Sequence, residues 1–588
     1  MHAESVTKTG EMTSRSMVEM LATARVAGVE LEPRYVALAA EAMELWWDEV
    51  VQLRSVDLGG MDRYFPFEPR TAPRLHPRHP LPVSTPGFGP EPGVATAPVR
   101  APTPTPTGSQ RPAPTDLADC GVAELLALFA SGKASPTEAL DACVARIERA
   151  NPRVNAVLYL ALESAEAQAA ESDRRWAEGR ARALEGVPYG LKDNISTRGI
   201  PTTGGSKVLA SHVPEASAVV VGRLEEAGAV MLAKLATTEF ACGGALSPWN
   251  GAVHNPWDFE RFSGSSSSGP GGAVAARMVP FAIGTDTLGS IRVPAACTGI
   301  VGWKPTYGAV SRSGVMPLSW TMDHVGPLAR SVEDAAHVLQ IMSAHDETDE
   351  SSYAGARADL LGEINQSGDL RNLRIGIARS FYEPMADGPV VAAMNHVIDV
   401  LGDCGAAIVE LEIDHVQHCF GAGWLALLCE AASLHEDLWA RPDEYDPGLV
   451  FRLLIGKLAP ATDYLRSFRM RALLQNSFHN VFNSVDAVLL PGLVGSSPRY
   501  DDLSFTVNDT SFPLQKMHAR FTAPGNVTGL PALCLPSGLG RYGMPVAFQI
   551  YAPAHRDDVC ARVGHAFQLR TDHHLAVPTA LAALLAGS

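Results

Sequence analysis

The sequence predicts an α/β protein, a buried sheet with helices on its faces, preceded by a small α-helical unit. Two observations carry the main prediction. Short apolar runs such as VMLAK, VPFAIGT and DAVLLPG lie between helical and glycine-rich segments after residue 115, as expected for strands buried under helices. The residues before them show helical periodicity and are set apart by a proline-rich stretch. At 588 residues the chain is long enough for two or three such units.

The first unit is expected over 1–65. Met17, Met20, Leu21, Ala24 and Val26 give one apolar face. Pro33 then opens a second run through Val36, Leu38, Met43, Leu45, Trp46, Val50 and Leu53. This is a helical period with a proline suited to a first turn. Two helices cannot bury both faces alone, so the unit is expected to rest on something larger. Residues 66–114 carry prolines at 66, 69, 73, 77, 80, 82, 86, 90 and 92, then APTPTPTGSQRPAP. That density excludes helix and central strand and predicts an extended linker or strap. From 115 to 588 a single large α/β domain is expected. It opens with the amphipathic stretch ASPTEALDACVARIERANP, with Pro136 near a helix start.

Bulk properties narrow the function. A formal net charge of −17 argues against a nucleic-acid partner, which needs a basic surface, and against an anionic membrane surface. The opening MHAESVTKTGEMTSRSMVEML has no apolar core, and no run approaches a membrane span, so no secretory leader or bilayer crossing is expected. Nine scattered cysteines without a CxxC pair fit reduced thiols in a cytoplasmic protein.

Three glycine- and serine-rich places are candidates for chemistry. The first is Gly186-Val187-Pro188-Tyr189-Gly190-Leu191-Lys192-Asp193-Asn194. A lysine flanked by apolar and turn residues can lose hydration, which lowers its pKa and yields a usable neutral amine; the plainer alternative is a surface lysine paired with Asp193. The second is Ser263-Gly264-Ser265-Ser266-Ser267-Ser268-Gly269-Pro270-Gly271-Gly272, a polar loop inside a domain, suited to line a site. The third is Gly284-Thr285-Asp286-Thr287-Leu288-Gly289-Ser290-Ile291-Arg292-Val293-Pro294, directly after the strand-like VPFAIG. Small residues before a serine let backbone N–H groups converge as an oxyanion hole requires, or simply form a tight turn with a hydroxyl cap.

Taken in order, LKDN, SGSSSSGPGG, GTDTLGSIRVPAACTGIVGWKPTYG, WTMDHVGPLARSVED and FTAPGNVTGLPALCLPSG resemble the amidase signature family over nearly all of 115–588. The resemblance implies the amidase signature fold, a large twisted mixed β-sheet covered by helices on both faces. It makes Ser290 the nucleophile, Ser266 the bridging serine with a cis peptide, and Lys192 the base. The N–H groups of Thr287, Leu288, Gly289 and Ser290 become the oxyanion hole, and Asp286 and Arg292 a bracing ion pair. Neutral Lys192 would draw a proton from Ser266, which draws one from Ser290 as its hydroxyl attacks the carbonyl. The proton returns to the departing nitrogen, and water then cleaves the acyl-enzyme. No metal or cofactor is called for.

The implied partner is a small amide, carbamate or urea-like molecule, with a homodimer compatible with the family. Cys242, Gly243, Gly244 and Trp320 are expected to contact substrate. Phe240, Trp249, Phe420, Trp424 and Trp439 are expected to make the pocket suit an apolar or aromatic acyl group. The chain departs from the family pattern at Ser265, Ser268 and Pro270, and at Leu288, whose bulk is expected to narrow the pocket or shift a donor. Three alternatives stand beside this reading. One is the glutamine-hydrolysing subunit of a tRNA-dependent amidotransferase, since LRSVDLGGMDRYFPFEP resembles that complex's small C subunit; PATDYLRSFRMRALLQNSFHNVF, however, lacks the expected tyrosine-rich stretch. The others are a noncatalytic scaffold and a triad of Ser290, His324 and Asp323.

Overall fold

The computed structural model describes residues 46, 48–58, 116–364, 368–436, 438 and 441–587. Of the helical unit expected over 1–65, only 46 and 48–58 fall within these, and the proline-rich segment 66–114 lies outside them, as does Trp439.

Eleven strands form one mixed sheet. In chain order they are β1 Val157–Leu160, β2 Pro188–Lys192, β3 Val230–Leu235, β4 Phe281–Asp286, β5 Val301–Lys304 and β6 His324–Ala329, then β7 Arg374–Ile377, β8 Ala407–Glu410, β9 Ala487–Pro491, β10 Ala532–Leu539 and β11 Pro545–Tyr551. Their spatial order is β1-β3-β2-β4-β6-β5-β10-β11-β9-β7-β8. Pairing is parallel in β3-β2-β4 and in β9-β7-β8 and antiparallel elsewhere. Every residue of β2, β3, β4 and β9 is buried, which is why these strands read as unbroken apolar runs rather than alternating ones. The runs VMLAK, VPFAIGT and DAVLLPG are β3, β4 and β9.

Helices cover both sides of the sheet. The first long one, α1 (Pro136–Val154), starts at a capping box: Ser135 Oγ accepts from Glu138 N at 3.2 Å, and Glu138 Oε2 accepts from Ser135 N at 2.8 Å. Asn155 ends it in the left-handed region at φ 57°. No helix among the described residues is long and apolar enough to cross a membrane.

Two helices far along the chain receive the N-terminal segment, α2 (Cys419–Leu434) and α3 (Ala461–Val481). Residues 48–55 are helical. Trp46 stacks on Trp424 at a centroid separation of 4.9 Å and lies 5.2 Å from Phe420. Arg54 grips Asp463 with Nε and Nη2 at 3.1 and 2.5 Å, and Arg520 pairs with Glu49. Gly421 of α2 gives the segment its close approach, since a Cβ there would lie 3.1 Å from Glu49 Oε2. Phe420 and Trp424 therefore pack this contact and do not form the acyl pocket expected from the sequence. Trp46→Ala is expected to weaken the contact by about 3 kcal/mol. Limited proteolysis should then cleave the N-terminal segment faster, with slower change in the sheet domain.

Candidate active site

The end of β2, the serine loop and the turn after β4 meet in one buried place. Lys192 is the last residue of β2 and is fully buried. Its Nζ lies 2.8 Å from Ser266 Oγ and 2.7 Å from Thr285 Oγ1 on the neighbouring β4. Asn194 Nδ2 donates to the same Thr285 oxygen at 3.1 Å. Burial draws the Lys192 pKa down to about 7, against smaller opposing pulls from Asp286 and Asp323. The surface pairing with Asp193 does not form. Asp193 instead accepts from Thr203 N and Oγ1 at 3.0 and 2.5 Å and faces the buried Lys234 ammonium at 3.5 Å.

Ser266 follows a cis peptide after Ser265. The serine loop is laced to the turn beyond β4: Ser267 N donates to Ser290 O at 3.1 Å, and Ser267 Oγ donates to Thr285 O at 3.0 Å. Ser290 stands just before the helix Arg292–Thr298 and is partly exposed. The bond between the Ser290 and Ser266 hydroxyls expected from the sequence does not form here; no side-chain hydrogen bond engages Ser290 Oγ among the described residues.

The turn is held from below by a fully buried ion pair. Arg292 Nε and Nη2 reach the two Asp286 oxygens at 3.0 and 3.1 Å. The same guanidinium donates to Thr522 O, Gln549 Oε1, Tyr551 OH and Asn526 Oδ1 at 2.8, 2.9, 3.0 and 2.6 Å. Burial alone would raise the Asp286 pKa, but Arg292 holds it well below the usual carboxylate range. Asp286 also accepts from Gly289 N at 2.7 Å and Ile291 N at 3.2 Å.

That bond changes the expected set of oxyanion donors. The Gly289 N–H is engaged by Asp286, whereas the N–H groups of Thr287, Leu288 and Ser290 meet no acceptor among the described residues. Gly289 serves the turn by its conformation. Its φ is +129°, and a Cβ would lie 2.3 Å from Thr522 Oγ1. Thr522 in turn donates to Leu288 O at 2.8 Å. Gly289→Ala is expected to cost about 1–3 kcal/mol of stability, since a side chain at this φ is strained and meets Thr522, read as a lowered urea midpoint. Leu288 does not narrow the site: it is 5% exposed, and its side chain rests where a Cβ at Gly423 of α2 would be, 2.6 Å away.

A cavity of about 240 Å³ opens beside Lys192, lined among others by Asn194, Thr285, Thr287, Trp320, Asp323 and His324. Trp320 is 43% exposed at this cavity. Its loop is pinned by two carboxylates. Glu430 of α2 accepts from Ser319 Oγ and Thr321 Oγ1, both at 2.7 Å. Asp323 accepts from Leu318 N, Ser319 N and Thr287 Oγ1 at 2.9, 3.0 and 2.6 Å. The triad of Ser290, His324 and Asp323 is not assembled, because His324 Nδ1 faces Met322 O at 2.6 Å rather than a carboxylate. Of the other expected substrate contacts, Cys242 and Gly243 direct their carbonyls to Arg452, and the Gly244 N–H lies 3.3 Å from Asp446. Their neighbour Ala241 reaches the cavity instead.

A model of the family described as Amidase matches residues 138–560. The chain belongs to the amidase family. A glutamyl-tRNA(Gln) amidotransferase subunit of Chloroflexus aggregans is 35% identical over 480 residues, covering 76% of this chain and 96% of that protein. The corresponding amidotransferase protein of Salinispora tropica is 36% identical over 487 residues, covering 77% and 98%. Among solved structures, a chain from a vestigial protein complex that reveals the evolutionary origins of an s-triazine catabolic enzyme is 32% identical with a TM-score of 0.73, covering 76% of this chain and 98% of that one. The native peptide amidase of Stenotrophomonas maltophilia is 29% identical with a TM-score of 0.67, covering 78% and 97%.

Several residues that shape this amidase site escape the motif reading. Thr285 and Asn194 stand inside quoted motifs, one residue before Asp286 and two after Lys192, where their polarity was the available signal. Thr522 and Asn526 stand in the quoted FTAPGNVTGLPALCLPSG, more than 200 residues away in sequence, and nothing in that stretch says that they meet Leu288 and Arg292.

Proposed function

We propose that this amidase-family chain hydrolyses the C–N bond of a small amide, carbamate or urea-like substrate, with Ser290 as nucleophile and Ser266 and Lys192 as proton carriers. The observation that carries the reading is the fully buried Lys192 amine, 2.8 Å from Ser266 Oγ and with a pKa near neutrality. A neutral amine can donate to Thr285 and turn its lone pair to the Ser266 hydroxyl. Ser266 is then ready to accept the proton of Ser290 once substrate closes the gap between the two hydroxyls, a contact that tightens on binding in many enzymes. Ser290 attacks the carbonyl, and the N–H groups of Thr287, Leu288 and Ser290 receive the negative charge on oxygen. The proton passes back through Ser266 to the leaving nitrogen, since an amide anion leaves poorly. Water enters by the same route and releases the acid. We take the reaction to occur in the cytoplasm, where nine cysteines with no disulfide among them suit a reducing medium.

The test is a fluorophosphonate probe on the purified full-length chain, with the labelled residue found by mass spectrometry. Label on Ser290 is expected. Label on another serine would overturn the assignment.

A second reading is favoured by the kinship with the two amidotransferase proteins: the chain would release ammonia from glutamine inside a multi-subunit amidotransferase. Glutamine turnover exceeding that of simple amides, and rising when partner subunits are added, would establish it over the first.

A further inference from the structure

The cavity beside Lys192 has an imbalance in its hydrogen bonding. Two of its side-chain donors are engaged. The Arg312 guanidinium on its wall is taken up by Trp320 O, by Ser351 Oγ at 2.6 Å and by Asp349 at 3.4 Å. The Thr287 hydroxyl donates to Asp323 at 2.6 Å. Two acceptors are left over. Asn194 is 2% exposed, its Nδ2 is bonded to Thr285, and its Oδ1 has no partner. His324 is 3% exposed, and its Nε2 has no partner. The tautomer follows from the other ring edge. Nδ1 lies 2.6 Å from Met322 O and 3.2 Å from Asp286 O, and two carbonyl oxygens require that nitrogen to carry the hydrogen. Nε2 is then a bare lone pair. Burial, with the nearby Lys304 charge, pushes the ring pKa well below its ordinary value, so it stays neutral near pH 7.

Charge does not supply the missing partner. The Asp323 carboxylate accepts three hydrogen bonds within its own loop and from Thr287, and Asp349 is paired with Arg312. An unmatched buried acceptor costs about 1–3 kcal/mol, and two at one cavity mark a place built to be completed by something that brings hydrogens.

We propose that this cavity is a subsite for an uncharged N–H-bearing group of the substrate, a carboxamide or ureido nitrogen, with His324 Nε2 and Asn194 Oδ1 accepting its hydrogens. The pocket thereby selects polar, hydrogen-donating amides over the apolar or aromatic acyl groups expected from the sequence. It deepens the hydrolase reading and rests on it for the identity of the ligand as substrate, but not for the binding itself. A site that accepts from N–H groups rejects the analogue lacking them far more strongly than an apolar pocket rejects a missing methylene.

Full-length protein is titrated with succinamide, with its N,N,N′,N′-tetramethyl counterpart and with dimethyl succinate, each followed by calorimetry and ligand-observed NMR. Succinamide is expected to bind at least tenfold tighter than either analogue. His324→Phe, which keeps a planar ring without the lone pair, and Asn194→Leu are each expected to remove most of that preference. His324→Gln, which restores an acceptor, is expected to retain part of it, and this separates acceptance from ring packing if one of the other variants folds poorly. Equal binding of the three compounds overturns the proposal. So does a preference that survives His324→Phe, or one lost equally in His324→Gln. Absence of fluorophosphonate label on Ser290 in the unaltered protein would instead sink the hydrolase reading and leave the binding result standing.

Discussion

Lys192→Ala is expected to lower kcat/KM about 10³-fold, within the range for loss of a positioned proton carrier, and to change the shape of the pH profile as well as its height. The pKa of this amine is drawn down to about 7 by burial. The base form is the one without the proton, so activity falls as pH drops through that value. In the unaltered chain, kcat/KM should therefore rise about tenfold per pH unit below 7 and level off above it. The limb should vanish in the alanine variant. Lys304 is also buried, with burial and then Arg292 drawing its pKa to about 7, so a profile alone does not assign the limb. Lys304 Nζ donates to Pro305 O at 2.9 Å, and no hydrogen bond joins it to Ser266 or Ser290 among the described residues. A limb that persists in Lys192→Ala and disappears in Lys304→Met would overturn the role given to Lys192.

Arg292→Ala is expected to cost about 3–5 kcal/mol of stability, the usual penalty for stripping one partner from a buried ion pair. Urea denaturation followed by tryptophan fluorescence would read it. The loss has a second part, because the guanidinium also satisfies Thr522 O, Gln549, Tyr551 and Asn526. Arg292→Lys should rescue little, since an ammonium has three hydrogens and no planar fork. A midpoint unchanged in Arg292→Ala would show that this pair does not brace the turn carrying Ser290.

Much of this was legible in the chain, and particular residues show why. β3, β4 and β9 announce themselves because strands buried on both faces need apolar residues without interruption. Lys192, Ser266 and Ser290 stand in three ordered motifs, and the fold brings the first two into contact. What local sequence does not carry is the direction of a bond. Nothing in GTDTLGS says that the Gly289 N–H turns to Asp286, or that Leu288 faces Gly423. The aromatics misled for a related reason: Phe420 and Trp424 look like pocket linings until Trp46, far away in the chain, is found packed against both. Hydrophobic composition does not distinguish an internal docking surface from a substrate wall.

The helix Cys419–Leu434 has one further consequence. Gly421 and Trp424 receive the N-terminal segment, Gly423 makes room for Leu288 two residues before Ser290, and Glu430 pins the loop of Trp320. One helix thus joins a distant part of the chain to the mouth of the pocket, while the hydrogen bonds of Lys192 are made without it, to the serine loop and β4. Inheritance can act on these separately: substitutions near Trp46 bear on this helix and the loop of Trp320, and leave the bonds of Lys192 untouched.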